Sequence, residues 1–194
     1  IAPTWMQIAP YTLMGYSGDA DLINDWDIDG DGINEYSAGD SIAYQQPAIN
    51  DIKAIQYIYG MTPDFNAGNT TYTYSGPVWE TIYDTGGIDT IDLSFYSGDF
   101  EKDITLDLRG GEVSEIGTDE IKVWIYDAYT DDWTPQNEGF QISISENTVI
   151  ENATTGSGDD LIICNVAQNT ITCGYGDDDT YEISTGDIVY GGHG

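Results

Sequence analysis

From Thr155 onward the chain repeats every nine residues, and this short period constrains the fold more than any other feature. The units read TGSGDDLII, CNVAQNTIT, CGYGDDDTY and EISTGDIVY, followed by GGHG. Position 6 is Asp160, Asn169, Asp178 and Asp187, and position 8 is Ile162, Ile171, Thr180 and Val189. Position 2 is Gly156, Asn165, Gly174, Ile183 and finally Gly192. Such a unit is too short to bury an apolar face alone, so successive units must stack. Glycine permits the tight turn and leaves carbonyls facing inward, while aspartate adds charged oxygen. Three residues of strand then point one apolar side chain at a core. The pattern predicts a parallel β-roll with calcium in its turns. A disordered acidic linker has no reason to keep an apolar residue at every eighth place.

Stacking in a two-sided roll joins residues eighteen apart, so loop 155–160 is predicted to face 173–178, which in turn faces 191–194. On the other edge 164–169 pairs with 182–187. There NVAQN lacks both glycine and carboxylate. Calcium is therefore expected along one edge, between Gly156, Gly158 and Asp160 and Gly174, Gly176 and Asp178. The opposite edge is expected to be weak or empty. Cys164 and Cys173 hold position 1 of consecutive units, across the coil from each other, which disfavours a disulfide and favours two small buried thiols.

Charge reinforces the reading. Thirty-five Asp and Glu against four Lys and Arg give a formal charge of −31 over 194 residues. Such a chain repels nucleic acid and anionic membrane, and divalent cations would relieve its self-repulsion. A halophilic surface would share this composition, but the clustering of Asp beside Gly favours metal. No apolar run is long enough to span a bilayer.

Ahead of the repeat, Asp27, Asp29, Asp31, the Ile33 carbonyl and Glu35 alternate around Gly30 and Gly32, an oxygen cage suited to Ca²⁺. It departs from an EF-hand in having Ala38 where an acid should close the site. Pro47 then opens a helix, AINDIKAIQYIY, that stops at Gly60. Its stripe of Ile49, Ile52, Ile55 and Ile58 is read as core. From Thr70, segments TTYTYS, IDTIDLS, DITLDL, EIKVWIY and FQISIS alternate apolar and polar residues as half-buried strands do. Residues 70–151 read as a β-sandwich or irregular β-solenoid leading into the roll. The segment from Asp84 through Gly86 and Gly87 to Asp89 is a further glycine–carboxylate turn. With one histidine, His193, no HExxH motif and no Ser/His/Asp or Cys/His arrangement, the residues alone assemble no complete active site.

Two segments together are more specific. YTLMGYSG followed by NDIKAIQYIYG resembles the methionine turn and last helix of the catalytic domain in serralysin-type metzincin proteases. The resemblance continues through AGNTTY, YDTGGIDTIDLS and VIENATTGSGDDLI into glycine-rich repeats of the RTX type. It implies a secreted, extracellular, zinc-dependent, calcium-stabilised hydrolase acting on protein or peptide substrates. Residues 1–60 would end the catalytic domain, and residues 61–194 would form the mainly β carboxy-terminal domain, with repeats from about 155. Met14 would floor the zinc, and Tyr16 would ligate zinc or hydrogen-bond the oxyanion. Calcium ligation would pass to Asn66, Gly68 and Thr70, to Asp84, Gly86, Gly87 and Asp89, and to Glu151. It would also pass to Gly156, Gly158 and Asp160. Val149 stands where the family usually has a threonine ligand, and Asn66 where it often has arginine. The zinc-binding HExxHxxGxxH helix is expected upstream of Ile1, so this chain is read as a piece of a longer protease that includes an amino-terminal catalytic half. The alternative is a non-enzymatic, calcium-dependent structural or adhesive module of a filament or surface.

Overall fold

The computed structural model describes residues 47–76, 78–127 and 132–193, and describes only the backbone within 118–139. Met14, Tyr16 and the cage of Asp27, Asp29, Asp31, Ile33 and Glu35 lie outside the described residues.

The described residues are mainly β with one α-helix. Helix α1 spans Ile49–Tyr59. Ala48 has no side-chain oxygen to cap it, and Asp51 compensates by accepting the Ala48 N–H at 3.0 Å. Gly60, at φ 82°, ends the helix. The isoleucine stripe is not the core that its spacing suggests. Ile49 is buried, but Ile55 and Ile58 are 50% and 67% exposed. The reason is that α1 meets the β region through polar side chains. Lys53 pairs with Glu146, and Gln56 reaches Ser145 and Asn147.

Eleven strands follow among the described residues. They are β1 (Thr71–Thr73), β2 (Trp79–Ile82), β3 (Thr90–Asp92), β4 (Ile104–Asp107), β5 (Val113–Asp127), β6 (Asp132–Ile144), β7 (Asn152–Thr154), β8 (Leu161–Ile163), β9 (Thr170–Thr172), β10 (Asp179–Tyr181) and β11 (Ile188–Tyr190). One sheet has the order β1-β3-β7-β9-β11 and the other β10-β8-β4-β5-β6-β2. From β7 onward successive strands alternate between the sheets. Asn152, Thr170 and Ile188 fall in one parallel register, and Leu161 pairs with Asp179 in the other, the eighteen-residue stacking that the repeat demands. The preceding strands join the same two sheets, with β3 beside β7 and β4 beside β8. Strand β5 is the exception, antiparallel to both β4 and β6, while β6 pairs parallel with β2.

The core lies between the sheets. Ile91, Ala153 and Ile171 from the first meet Leu106, Ile162 and Ile142 from the second, all fully buried or nearly so. Cys164 and Cys173 are buried free thiols in the same core. Burial pushes both thiol pKa values up, that of Cys173 to about 11, so neither offers a ready thiolate.

The turns stack so closely that several glycines leave no room for a side chain. A Cβ on Gly156 would lie 1.8 Å from the Tyr96 carbonyl oxygen, and one on Gly174 would lie 1.8 Å from that of Gly156. Gly174 also sits at φ 85°. Gly174→Ala is therefore expected to lower stability by at least about 2 kcal/mol, as backbone overpacking does. Gly191→Ala, where no atom lies within 4 Å, should change it little. Chemical denaturation of both variants checks the contrast, and equal midpoints would refute the tight stacking.

Candidate functional site

Two rows of turns connect the sheets. Turns 83–89, 145–151, 164–169 and 182–187 lead from the second sheet to the first, and turns 93–103, 155–160 and 173–178 lead back. In both rows a carboxylate just before a strand accepts a backbone N–H from the neighbouring coil. Asp89 Oδ1 accepts from Thr70 at 2.8 Å, and Glu151 Oε2 accepts from Asp89 at 2.8 Å. Across the roll, Asp160 Oδ1 accepts from Ile104 at 2.9 Å, and Asp178 Oδ1 accepts from Asp160 at 3.1 Å.

The first row brings together most of the residues singled out between 66 and 151. Asn66, at φ 52°, donates to Tyr72 Oη at 3.3 Å, and Tyr72 donates to Asp84 Oδ2 at 2.7 Å. Gly86 N–H donates to Asp84 Oδ1 at 2.9 Å, and Thr70 Oγ1 donates to the Gly68 carbonyl at 3.0 Å. Gly87 lies so near Gly68 that a Cβ would approach the Gly68 carbonyl to 2.6 Å. Val149 is half exposed. The contact to this turn comes instead from the buried Thr148, whose Oγ1 accepts the Asp84 N–H and donates to the Asp84 carbonyl, each at 2.9 Å.

The second row gathers Gly156, Gly158 and Asp160 with Gly174, Gly176 and Asp178. Tyr175 N–H donates to the Gly156 carbonyl at 3.1 Å. A Cβ on Gly176 would meet the Gly158 carbonyl at 2.2 Å. The ladder extends at both ends. His193 carbonyl accepts from Gly176, and Asp103 Oδ1 accepts from Asp159, whose own Oδ1 accepts from Asp177. Asp103, Asp159 and Asp177 escaped the reading of the sequence, although the two latter share position 5 of their units.

Two buried carboxylate oxygens, Asp89 Oδ2 and Asp160 Oδ2, have no hydrogen-bond partner. A buried, unpartnered anionic oxygen is costly and is relieved by a proton or a cation. Burial accordingly raises the pKa values of Asp89 and Asp178, and pushes Asp160 up to about 6. Asp187 moves the other way, held below the usual range by N–H bonds from Asn169 and Ser184. Among the described residues no three His, Cys, Asp or Glu side chains gather into a metal cluster. What the turns offer is one or two carboxylates beside main-chain carbonyls, hard oxygen donors that suit calcium far better than zinc.

The raised Asp160 has a definite consequence for the metal-free protein. A carboxyl whose pKa is raised by folding stabilises the fold while protonated, and that contribution is lost as pH climbs from the ordinary value near 4 through about 6. Metal-free protein should therefore melt at a lower temperature at pH 7 than at pH 4.5, and Asp160→Asn should shrink this drop. Thermal melts in metal-depleted buffer across that range provide the check, and an undiminished drop in the variant would contradict it.

Known metalloproteases match this chain over most of its length. It is 32% identical to Serralysin G of Dickeya chrysanthemi, over 70% of this chain and 27% of that protein. It is 31% identical to the serralysin of Proteus mirabilis, over 83% of this chain and 28% of the relative. It is 30% identical to the serralysin of Photorhabdus laumondii subsp. laumondii, over 88% and 32% respectively. The chain thus spans less than a third of the length of these relatives. No protein-family model matches it.

Proposed function

Because the chain is related to the serralysin-type metalloproteases, we propose that it is the calcium-holding carboxy-terminal portion of a secreted zinc endopeptidase. The observation that carries the calcium part is the pair of buried, unpartnered oxygens on Asp89 and Asp160, one in each row of turns. Gly156, Gly158 and Asp160, with Gly174, Gly176 and Asp178, would hold ions between stacked coils of a parallel β-roll. Asn66, Gly68, Thr70, Asp84, Gly86, Gly87, Asp89 and Glu151 would hold ions where the irregular coils begin. Asp27, Asp29, Asp31, Ile33 and Glu35 would form a further, separate cage.

Bound calcium supplies positive charge where carboxylates and carbonyls converge, so the ladder becomes stable only where calcium is plentiful. This accords with a protein that folds after export, and no helix among the described residues is long and apolar enough to cross a membrane. Residues 1–60 would complete a catalytic domain whose zinc ligands belong to another segment. Zinc would supply Lewis acidity there. Met14 would pack beneath the metal, and Tyr16 would donate a hydrogen bond to the oxyanion of the tetrahedral intermediate. Protein or peptide would be the substrate.

Calcium at a hundred times its dissociation constant should stabilise the fold by about 2.7 kcal/mol per independent site. Melting followed by circular dichroism, with calcium and with EGTA, tests this, and coincident curves would refute the calcium reading. Zinc analysis and casein hydrolysis by the full-length protein test the enzymatic part. Calcium-dependent folding without zinc or hydrolysis would instead favour a structural or adhesive module.

A further inference from the structure

The turn at 164–169 breaks the chemistry of its row. In the turns before and after it a carboxylate precedes the strand, as Asp89, Glu151 and Asp187 do. Here the residue is Asn169, which is wholly buried. Its Nδ2 donates to the carbonyls of Ile150 at 3.3 Å and Glu151 at 3.1 Å, and to Asn165 Oδ1 at 3.2 Å. Asn165 sits where the regular units carry glycine. Its Nδ2 donates to the carbonyls of Leu108 at 3.1 Å and Ile150 at 2.7 Å. The loop closes on itself through the remaining oxygens. Asn169 Oδ1 accepts the Asn165 N–H at 3.2 Å, and Asn165 Oδ1 accepts the Ala167 N–H at 2.9 Å.

Two carboxamides thus do for three main-chain carbonyls what a cation does for oxygens in a calcium turn. They supply positive partial charge from the inside of the loop, and they add no negative charge of their own. In contrast to Asp89 and Asp160, neither asparagine side chain leaves a buried oxygen unpartnered. The next turn in the row also uses a protein-borne cation. Arg109 holds Asp107 through Nη2 at 2.6 Å and Nε at 2.9 Å, and reaches Glu182 Oε1 through Nη1 at 3.1 Å.

We propose that the paired carboxamides of Asn165 and Asn169 replace a metal ion, so that turn 164–169 is a metal-independent clasp within a calcium-dependent ladder. The calcium response of the repeat region is then confined to turns 155–160 and 173–178. The clasp holds β8 and β9 against the preceding coils through Leu108, Ile150 and Glu151 before any ion arrives. It presents a preformed rung on which the calcium turns can close. This inference rests on the calcium reading above, but its failure is separable from the failure of that reading.

Hydrogen exchange of the full chain, with calcium and with EGTA, tests it. Chelation should speed exchange at 156–160 and 174–178 by about tenfold or more, while 165–169 changes less than about twofold. Equal acceleration in all three turns would overturn the clasp and leave the calcium reading intact. Absence of any acceleration would overturn both. Asn169→Asp removes the donor and adds charge with almost no change of shape, so it should convert the clasp into a calcium-dependent turn. Its exchange at 165–169 should become fast in EGTA and slow again in calcium, with one more ion bound per chain by calorimetry. Asn169→Ala should instead lower the melting temperature equally in both buffers. If Asn169→Asp shows no new calcium dependence, the substitution of amide for ion is wrong. If it does not fold, the wild-type exchange pattern and Asn169→Ala decide.

Discussion

Parallel stacking of near-identical units places like residues one above another at the strand spacing of about 4.8 Å. When the repeated residue is an aspartate, the group that shapes each turn also repels its own copy in the next. This repulsion is the constraint on which the rest of the ladder depends. One relief is common to both rows: each carboxylate spends one oxygen on an N–H of the neighbouring coil, as Asp178 does with Asp160 and Asp187 with Asn169. That bond locks the register and takes up one oxygen, leaving the second to its surroundings. Asp187 gives its second oxygen to the Ser184 N–H, whereas Asp89 and Asp160 bury theirs unpartnered. Position in the row therefore sets how strongly each turn needs an external charge.

The hydrophobic contribution follows the same one-dimensional logic. Each strand of the repeat delivers one central side chain to the space between the sheets, and a rung is covered only by the rungs beside it. Ile162 and Ile171 are fully enclosed because coils lie on both sides of them. Thr180 and Val189 are only partly covered, and Ile188 and Tyr190 flank Val189 in the open. A methyl-rich seam one residue wide cannot offset the conformational entropy of so many turns, so electrostatic closure of the turns has weight that a broad core would make unnecessary.

Much of this architecture is legible in the sequence because its period is local. The eighteen-residue register, the two rows of turns and the limits of α1 between Pro47 and Gly60 all follow from residues whose roles do not depend on distant partners. Features that depend on distant partners are less visible. Strand β2 carries no clear alternation in WETI, and it forms because Trp79–Ile82 finds the edge offered by β6. The stripe of α1 has the period of a core helix, yet contacts with Glu146, Ser145 and Asn147 turn its polar face toward the sheets. Thr148, one residue from the position that the resemblance points to, is the side chain that reaches Asp84, and only the path of the backbone reveals the offset.

Asn169 illustrates the limit of composition most clearly. In sequence, NVAQN looks like a degraded turn that has lost its glycines and its acid. In three dimensions the same loss is a change of sign, from an anionic acceptor oxygen to an amide nitrogen that donates to main-chain carbonyls. Carboxylate and carboxamide have nearly the same shape, so either can occupy the place before the strand without altering the path of the chain. What differs is which charge must come from outside. In a ladder built of both kinds of turn the period sets the geometry, while single atoms set the charge of each turn. On the proposed calcium reading, that separation would let the fold keep one register throughout while only part of it answers to the ion.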